Sequence, residues 1–170
     1  KMIRYADILA ESLVDGSGLR VSAFLQGCIR HCQSCHNEKL IAMNGGNLVS
    51  EREFADLIIE KLTPLHRGVT FSGGEPLIQA DALFAVIAMV REKRPEIDIW
   101  VYTGYTYEEV SQLEVMSQID VLVDGPFVLT QKNLFLAFRG SSNQRIIDIK
   151  KTRKTGKIVQ LYLDKESTTI

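Results

Sequence analysis

The chain has 170 residues, 45% hydrophobic and 24% charged, with a formal net charge of −1 at pH 7. That size predicts a single domain, 1–170, with enough apolar content for a proper core. A charge this close to zero gives no basic footprint for nucleic acid, and no apolar run is long enough to span a membrane.

Residues 1–18 read as a lead-in that ends in turn chemistry, Asp15-Gly16-Ser17-Gly18. Residues 20–26 predict a strand, because Val21, Ala23 and Leu25 alternate. The strand runs into Cys28-Ile29-Arg30-His31-Cys32-Gln33-Ser34-Cys35-His36, which holds all three cysteines of the chain. Ser50-Glu51-Arg52-Glu53 is a capping-box signal, and Phe54, Leu57, Ile58 and Leu62 follow at helical spacing until Pro64. His66, just after that proline, is expected on a surface loop. Val69-Thr70-Phe71 predicts a short buried strand that leads into Ser72-Gly73-Gly74-Glu75-Pro76. A helix is expected over 81–94, a strand over 97–102, a helix over 107–117 behind the Thr106/Glu109 capping pair, and a strand over 119–123.

Beyond Asp124-Gly125-Pro126 the pattern weakens. Residues 127–138 read as irregular or partly helical, 140–144 as a polar loop, 145–149 as a fifth strand and 157–163 as a late strand. The basic run 150–157 reads as a solvated turn or tail. Strand–helix alternation implies a mostly parallel sheet, and four or five units fall short of the eight that close a full barrel. The expected fold is α/β, a partial (βα) barrel whose open curved sheet is flanked by helices. Its strand ends would bring the cysteine loop, Gly73-Gly74-Glu75, Thr103 and Asp124 to one rim.

Three thiolates within eight residues point to a metal. A 4Fe-4S cluster usually takes four cysteines, so Cys28, Cys32 and Cys35 would leave one iron open. The alternative is a Cys3His zinc knuckle that uses His31 or His36. Clustered cysteines without a recognisable export signal suggest a reducing compartment, read as cytoplasmic.

The C-x3-C-x2-C spacing together with Gly73-Gly74-Glu75-Pro76 resembles the radical S-adenosylmethionine superfamily. A narrower likeness covers about residues 5–149, with 150–170 as a C-terminal extension. Val14 to Arg20, Trp100 to Tyr105, Asp120 to Phe127 and Arg139 to Arg145 resemble the glycyl-radical activases, in particular the branch that serves anaerobic ribonucleoside-triphosphate reductase. Ser17 stands where the family usually has proline, and His36 where this branch often has tyrosine.

The resemblance implies a 4Fe-4S cluster on Cys28, Cys32 and Cys35, with S-adenosylmethionine chelated at the open iron. It implies that Gly73, Gly74 and Glu75 hold the methionine amine and that Ser34 and His36 contact adenine. Thr103 and Asp124 match positions near a cation or the ribose. A flavodoxin-like donor would reduce the cluster, and a 5′-deoxyadenosyl radical would take hydrogen from a glycine of the reductase large subunit. No side-chain acid or base is required. A homodimer and a complex with the reductase are both compatible. Other readings are a pyruvate formate-lyase activase-like enzyme, a deazaguanine synthase-like enzyme and a zinc-binding interaction module.

Overall fold

The computed structural model describes residues 1–28 and 38–163. Among them, seven strands form one sheet: β1 (Met2–Ser12), β2 (Arg20–Leu25), β3 (Asn47–Ser50), β4 (Gly68–Gly73), β5 (Asp98–Tyr102), β6 (Val121–Asp124) and β7 (Arg145–Asp148). The α-helices are α1 (Glu51–Lys61), α2 (Ala80–Lys93), α3 (Tyr107–Val110) and α4 (Ile149–Thr155). The strand order is β3-β1-β2-β4-β5-β6-β7. β2, β4, β5 and β6 run parallel, which puts their C-terminal ends on one edge of the sheet. The outer pairs are antiparallel, and β3 and β7 are the sheet's two ends. This is the expected open α/β sheet with a parallel centre.

The central strands are rich in β-branched and aromatic residues, as strands covered on both faces must be. Register divides them. Val21, Ala23, Val69, Phe71, Ile99, Val101 and Leu122 lie fully buried in one cluster with Phe54 and Ile58 of α1 and Leu83 and Ile87 of α2. Alternate residues Arg20, Ser22, Thr70, Trp100 and Tyr102 therefore take the other face, over whose centre no α-helix among the described residues packs. Ser50 caps α1 by accepting the Glu53 amide at 3.0 Å, and Thr106 and Glu109 form the full reciprocal box of α3.

On the helix-free face the Asp15–Gly18 turn is pinned to the sheet. Arg20 is fully buried; it donates to Thr70 Oγ1 at 2.7 Å and to the Ser17 carbonyl at 2.8 Å, and pairs with Asp98. Gly16 has φ +142°, and a Cβ there would strike the Arg20 side chain. The two glycines thus serve a turn folded tightly over a buried guanidinium.

The structure differs from the sequence expectation in five places. The lead-in is an eleven-residue strand, β1, whose side chains show no clean alternation because it bulges twice and buries few of them. The third helix is one α-turn followed by a 3-10 turn over Glu114–Gln118. The basic run belongs to α4, capped by Asp148 and ended by Gly156 at φ +73°. The late strand is a single bridge, Ile147 to Gln160, beside β7. His66 is 5% exposed: its Nδ1 accepts the Thr63 amide at 3.0 Å, so Nε2 carries the proton and donates to the Ala10 carbonyl. No helix among the described residues is long and apolar enough to cross a membrane.

Asp120, just before β6, ties together β5, α2 and α4. It accepts from the Ile99 amide at 2.8 Å, from Arg91 at 2.7 Å and from Lys150 at 2.9 Å. Burial opposes its ionisation, but the hydrogen bonds from Lys150, Ile99 and Arg91 outweigh it and hold its pKa below the ordinary value. Its stabilisation is therefore present above the unfolded-state pKa and is lost as pH falls through the lower folded value. Asp120→Asn is expected to cost about 1–3 kcal/mol at neutral pH and to converge with the parent chain in acid, as urea melts at several pH values would show. A deficit that stays constant with pH would mean that the charge is not what stabilises.

Candidate functional site

Three strand exits meet at the edge where the parallel strands end. After β2 the chain turns at Gly27, φ +107°, into Cys28. The Gly27 amide donates to the Leu40 carbonyl at 2.7 Å and the Cys28 amide to the Ile41 carbonyl at 3.0 Å. Cys28, which is half-buried, therefore sits at the closed base of the cysteine loop. Gln26 braces that base from below, donating to the Ala42 carbonyl at 2.9 Å. Cys32, Cys35, Ser34 and His36 lie outside the described residues.

The Gly-Gly-Glu turn docks directly on this base. The Gly74 amide donates to the Leu25 carbonyl at 2.9 Å and the Glu75 amide to the Gly27 carbonyl at 2.7 Å. A Cβ on Gly73 would strike the Leu25 backbone, and one on Gly74 would strike the Gly27 and Leu40 carbonyls. The glycine pair is thus required by two backbones in contact, before any ligand is considered.

Glu75 is 1% exposed, and its carboxylate is engaged by protein donors. Oε1 accepts the Gly104 amide at 2.7 Å; Oε2 accepts the Leu77 amide at 3.0 Å and the Thr103 hydroxyl at 2.8 Å. Thr103 Oγ1 in turn accepts the Tyr105 amide at 3.1 Å. Through these bonds Glu75 and Thr103 tie the exit of β4 to that of β5. Their polar atoms are buried, and buried polar groups must find partners.

Asp124 follows the same logic. It is 1% exposed, accepts the Tyr107 amide at 2.7 Å and takes two bonds from Arg145, at 2.6 and 3.1 Å. Arg145 also grips Glu108 at 2.6 Å. Its bonds to Asp124, then to Glu108, raise its already high pKa, so the clamp carries a permanent positive charge. The Asp124 carboxylate thus meets a guanidinium on one side and a main-chain amide on the other.

Arg145 and Gln79 were not anticipated as parts of the site. The Gln79 amide accepts from Arg4 N at 2.8 Å and donates to the Arg4 carbonyl at 2.9 Å and to the Gln26 carbonyl at 3.3 Å, linking β1 to the end of β2. Only its place in the Gly-Gly-Glu-Pro-Leu-Ile-Gln run could have signalled it. The 139–144 run is a clasp. Gln144 accepts from the Gly140 amide at 2.9 Å and donates to the Gly125 carbonyl at 3.0 Å, while Asn143 donates to the Pro126 carbonyl at 2.8 Å. It fastens the loop to the exit of β6.

Comparison with known proteins identifies the family. Residues 14–147 match the family described as 4Fe-4S single cluster domain. The anaerobic ribonucleoside-triphosphate reductase-activating protein of Salmonella typhi is 38% identical over 149 residues, covering 84% of this chain and 96% of that protein. The protein of the same name from Escherichia coli K12 is 34% identical over 149 residues, with the same coverage, and that of Enterobacteria phage T4 is 32% identical over 148, covering 85% and 93%. Among solved structures, QueE from Escherichia coli aligns over 62% of this chain and 53% of its own, at 17% identity and TM-score 0.44. The chain belongs to the 4Fe-4S single cluster domain family and to the family of anaerobic ribonucleoside-triphosphate reductase-activating proteins.

Proposed function

We propose that this chain activates an anaerobic ribonucleoside-triphosphate reductase by generating a glycyl radical on its large subunit, with a 4Fe-4S cluster and S-adenosylmethionine as cofactors. The observation that carries the reading is the 2.7 Å bond from the Glu75 amide to the Gly27 carbonyl. It seats the Gly-Gly-Glu turn against the base of the cysteine loop, so one ligand can touch both. Kinship with reductase-activating proteins over most of the chain supports the choice of partner.

Soft thiolates suit an iron–sulfur cluster, and Cys28, Cys32 and Cys35 are the residues that would hold it. Bound together, cluster and S-adenosylmethionine supply one-electron cleavage chemistry able to remove hydrogen from a glycine Cα. The protein's part is orientation. The main chain of Gly73 and Gly74 receives the methionine amine. Glu75 and Thr103 hold that turn in place from beneath. Ser34 and His36, on the cysteine loop, border adenine; Thr103 and Asp124 border the ribose end, where Asp124 fixes the chain through Arg145 and Tyr107. A flavodoxin-like protein supplies electrons in a reducing, cytoplasmic setting, and the active species is a complex with the reductase or a homodimer that visits it.

The test is anaerobic. The chain is reconstituted with iron and sulfide, reduced, mixed with S-adenosylmethionine and an anaerobic ribonucleotide reductase, and followed by electron paramagnetic resonance. A glycyl-radical doublet that requires both proteins is expected. Formation of 5′-deoxyadenosine without the doublet would move the substrate elsewhere. The absence of both the doublet and 5′-deoxyadenosine, with a verified intact cluster, would overturn the reading.

A further inference from the structure

The helix-free face of the sheet carries a cleft of about 680 Å³. Its lining includes Asp15, Ser72, Tyr102, Phe138, Arg139 and Gly140. The cleft begins one residue before Gly73, so it adjoins the rim of strand ends where the cofactor is proposed to sit. Neither the base of the cysteine loop nor the Gly73-Gly74 turn lines it.

Two independent features of this cleft are unused by the fold. The first is the Tyr102 hydroxyl. It is buried and has no hydrogen-bond partner among the described residues. A buried hydroxyl without a partner is a net loss to the folded state, so it calls for an explanation. Two nearby charged groups are engaged elsewhere: Asp15 accepts through Oδ2 from Ser12 at 2.7 Å and from Ser22 at 3.0 Å, and Arg20 bonds Thr70, Ser17 and Asp98. Burial, helped by the Asp15 charge and opposed by Arg20, pushes the Tyr102 pKa up, so the phenol stays neutral and keeps its proton to donate.

The second feature is apolar exposure. The lining residues Leu13 and Val14 are 69% and 75% exposed; Leu134 and Phe135, which precede the lining residue Leu136 in the chain, are 83% and 81% exposed. The loop that bears Leu134 and Phe135 is tied down by the Lys132–Ser141 bridge and the Gln144 clasp. A cleft lined mostly by apolar side chains, with exposed Leu13 and Val14 among them, fits a polypeptide better than a small polar ligand.

We infer that Tyr102 is a substrate-positioning residue: its hydroxyl donates to a main-chain carbonyl of the polypeptide segment that enters this cleft, while Leu13, Val14, Leu134 and Phe135 receive that segment's apolar neighbours. The inference rests on the activase reading, under which the segment is the glycine-bearing part of the reductase. A glycine has no side chain to hold. Its carbonyl is bonded directly to the Cα that must lose hydrogen, so a donor fixed on β5 orients the reacting atom through one bond.

The test is Tyr102→Phe in the reconstituted full chain, which removes the hydroxyl and little else. Thermal unfolding of the variant without reductase is expected at the parent temperature or slightly above it, since an unsatisfied group is lost. Affinity for S-adenosylmethionine is expected to be unchanged. The concentration of reductase that gives half-maximal glycyl radical is expected to rise about tenfold, the size of one lost hydrogen bond. Phe135→Ser is expected to weaken the same step and to spare S-adenosylmethionine binding. A lowered unfolding temperature for Tyr102→Phe would make the hydroxyl structural, and weakened S-adenosylmethionine binding would assign it to the cofactor; either overturns the inference, as does parent-like reductase dependence. If the parent chain forms no glycyl radical at all, the activase reading fails first and this inference falls with it.

Discussion

Cys28→Ala is expected to abolish glycyl-radical formation, by at least about a hundredfold, while leaving the fold of the cluster-free chain intact. A lost direct ligand should cost at least as much as a lost outer-shell partner, which already weakens metal affinity or activity by about 10–100-fold. The fold is spared because Cys28 contributes to it through its main chain. Its amide bond to the Ile41 carbonyl and the neighbouring Gly27–Leu40 bond both survive the substitution. The side chain lies half-buried beyond the end of β2, where replacement by alanine is worth about 1 kcal/mol or less. Iron content after reconstitution, the visible absorbance of the cluster and an apo urea melt separate the two effects. The same result is expected for Cys32→Ala and Cys35→Ala, and full activity in any one of the three would sink the cluster assignment.

Glu75→Ala is the substitution expected to damage the fold and the site together. It strips the acceptor from the Leu77 amide, the Gly104 amide and the Thr103 hydroxyl, all packed around a carboxylate that is 1% exposed. Each buried donor left unpaired costs about 1–3 kcal/mol, so the loss should reach at least about 3 kcal/mol. That is a large part of the roughly 5–15 kcal/mol that holds a domain of this kind together. Glu75→Gln is not a conservative rescue. Both carboxylate oxygens receive main-chain N–H groups, so whichever end of the amide carries the NH2 turns one donor against another. Gln should therefore fall between Glu and Ala in a denaturation series. If Glu75→Ala melted like the parent and lost only S-adenosylmethionine binding, the carboxylate would be a direct ligand contact, and its role as a tie between β4 and β5 would be discarded.

These two residues mark what sequence could and could not reveal. Sequence singled out Cys28 because three thiolates in one short segment have few chemical uses; its place just beyond the end of β2 followed from the strand leading into it. Gly73 and Gly74 were legible for a related reason: adjacent glycines at a strand end signal close approach. What approaches them was not legible. The structure shows that it is first the backbone of Leu25, Gly27 and Leu40, a contact made across dozens of residues of chain.

The central strands, α1 and α2 were readable from periodicity and caps, because those elements bury one consistent face and begin at Ser50 or end before a proline. β1 was not, because a bulged strand with few buried side chains leaves no period-two trace. The antiparallel return of β7 was equally silent, since strand direction depends on what the chain between does, and residues 125–144 fold into a clasp instead of a crossover helix. By itself, then, the sequence determined the parallel α/β centre, the glycine pair at a strand end and the three thiols that follow β2. Those follow from local residue types and local spacing. Tertiary structure alone decided that Glu75, Thr103 and Asp124 turn inward to satisfy amides, a hydroxyl and a guanidinium, and that Tyr102 is left with an unpaired proton. The use made of a polar side chain depends on which donors and acceptors burial brings beside it, and those come from distant parts of the chain.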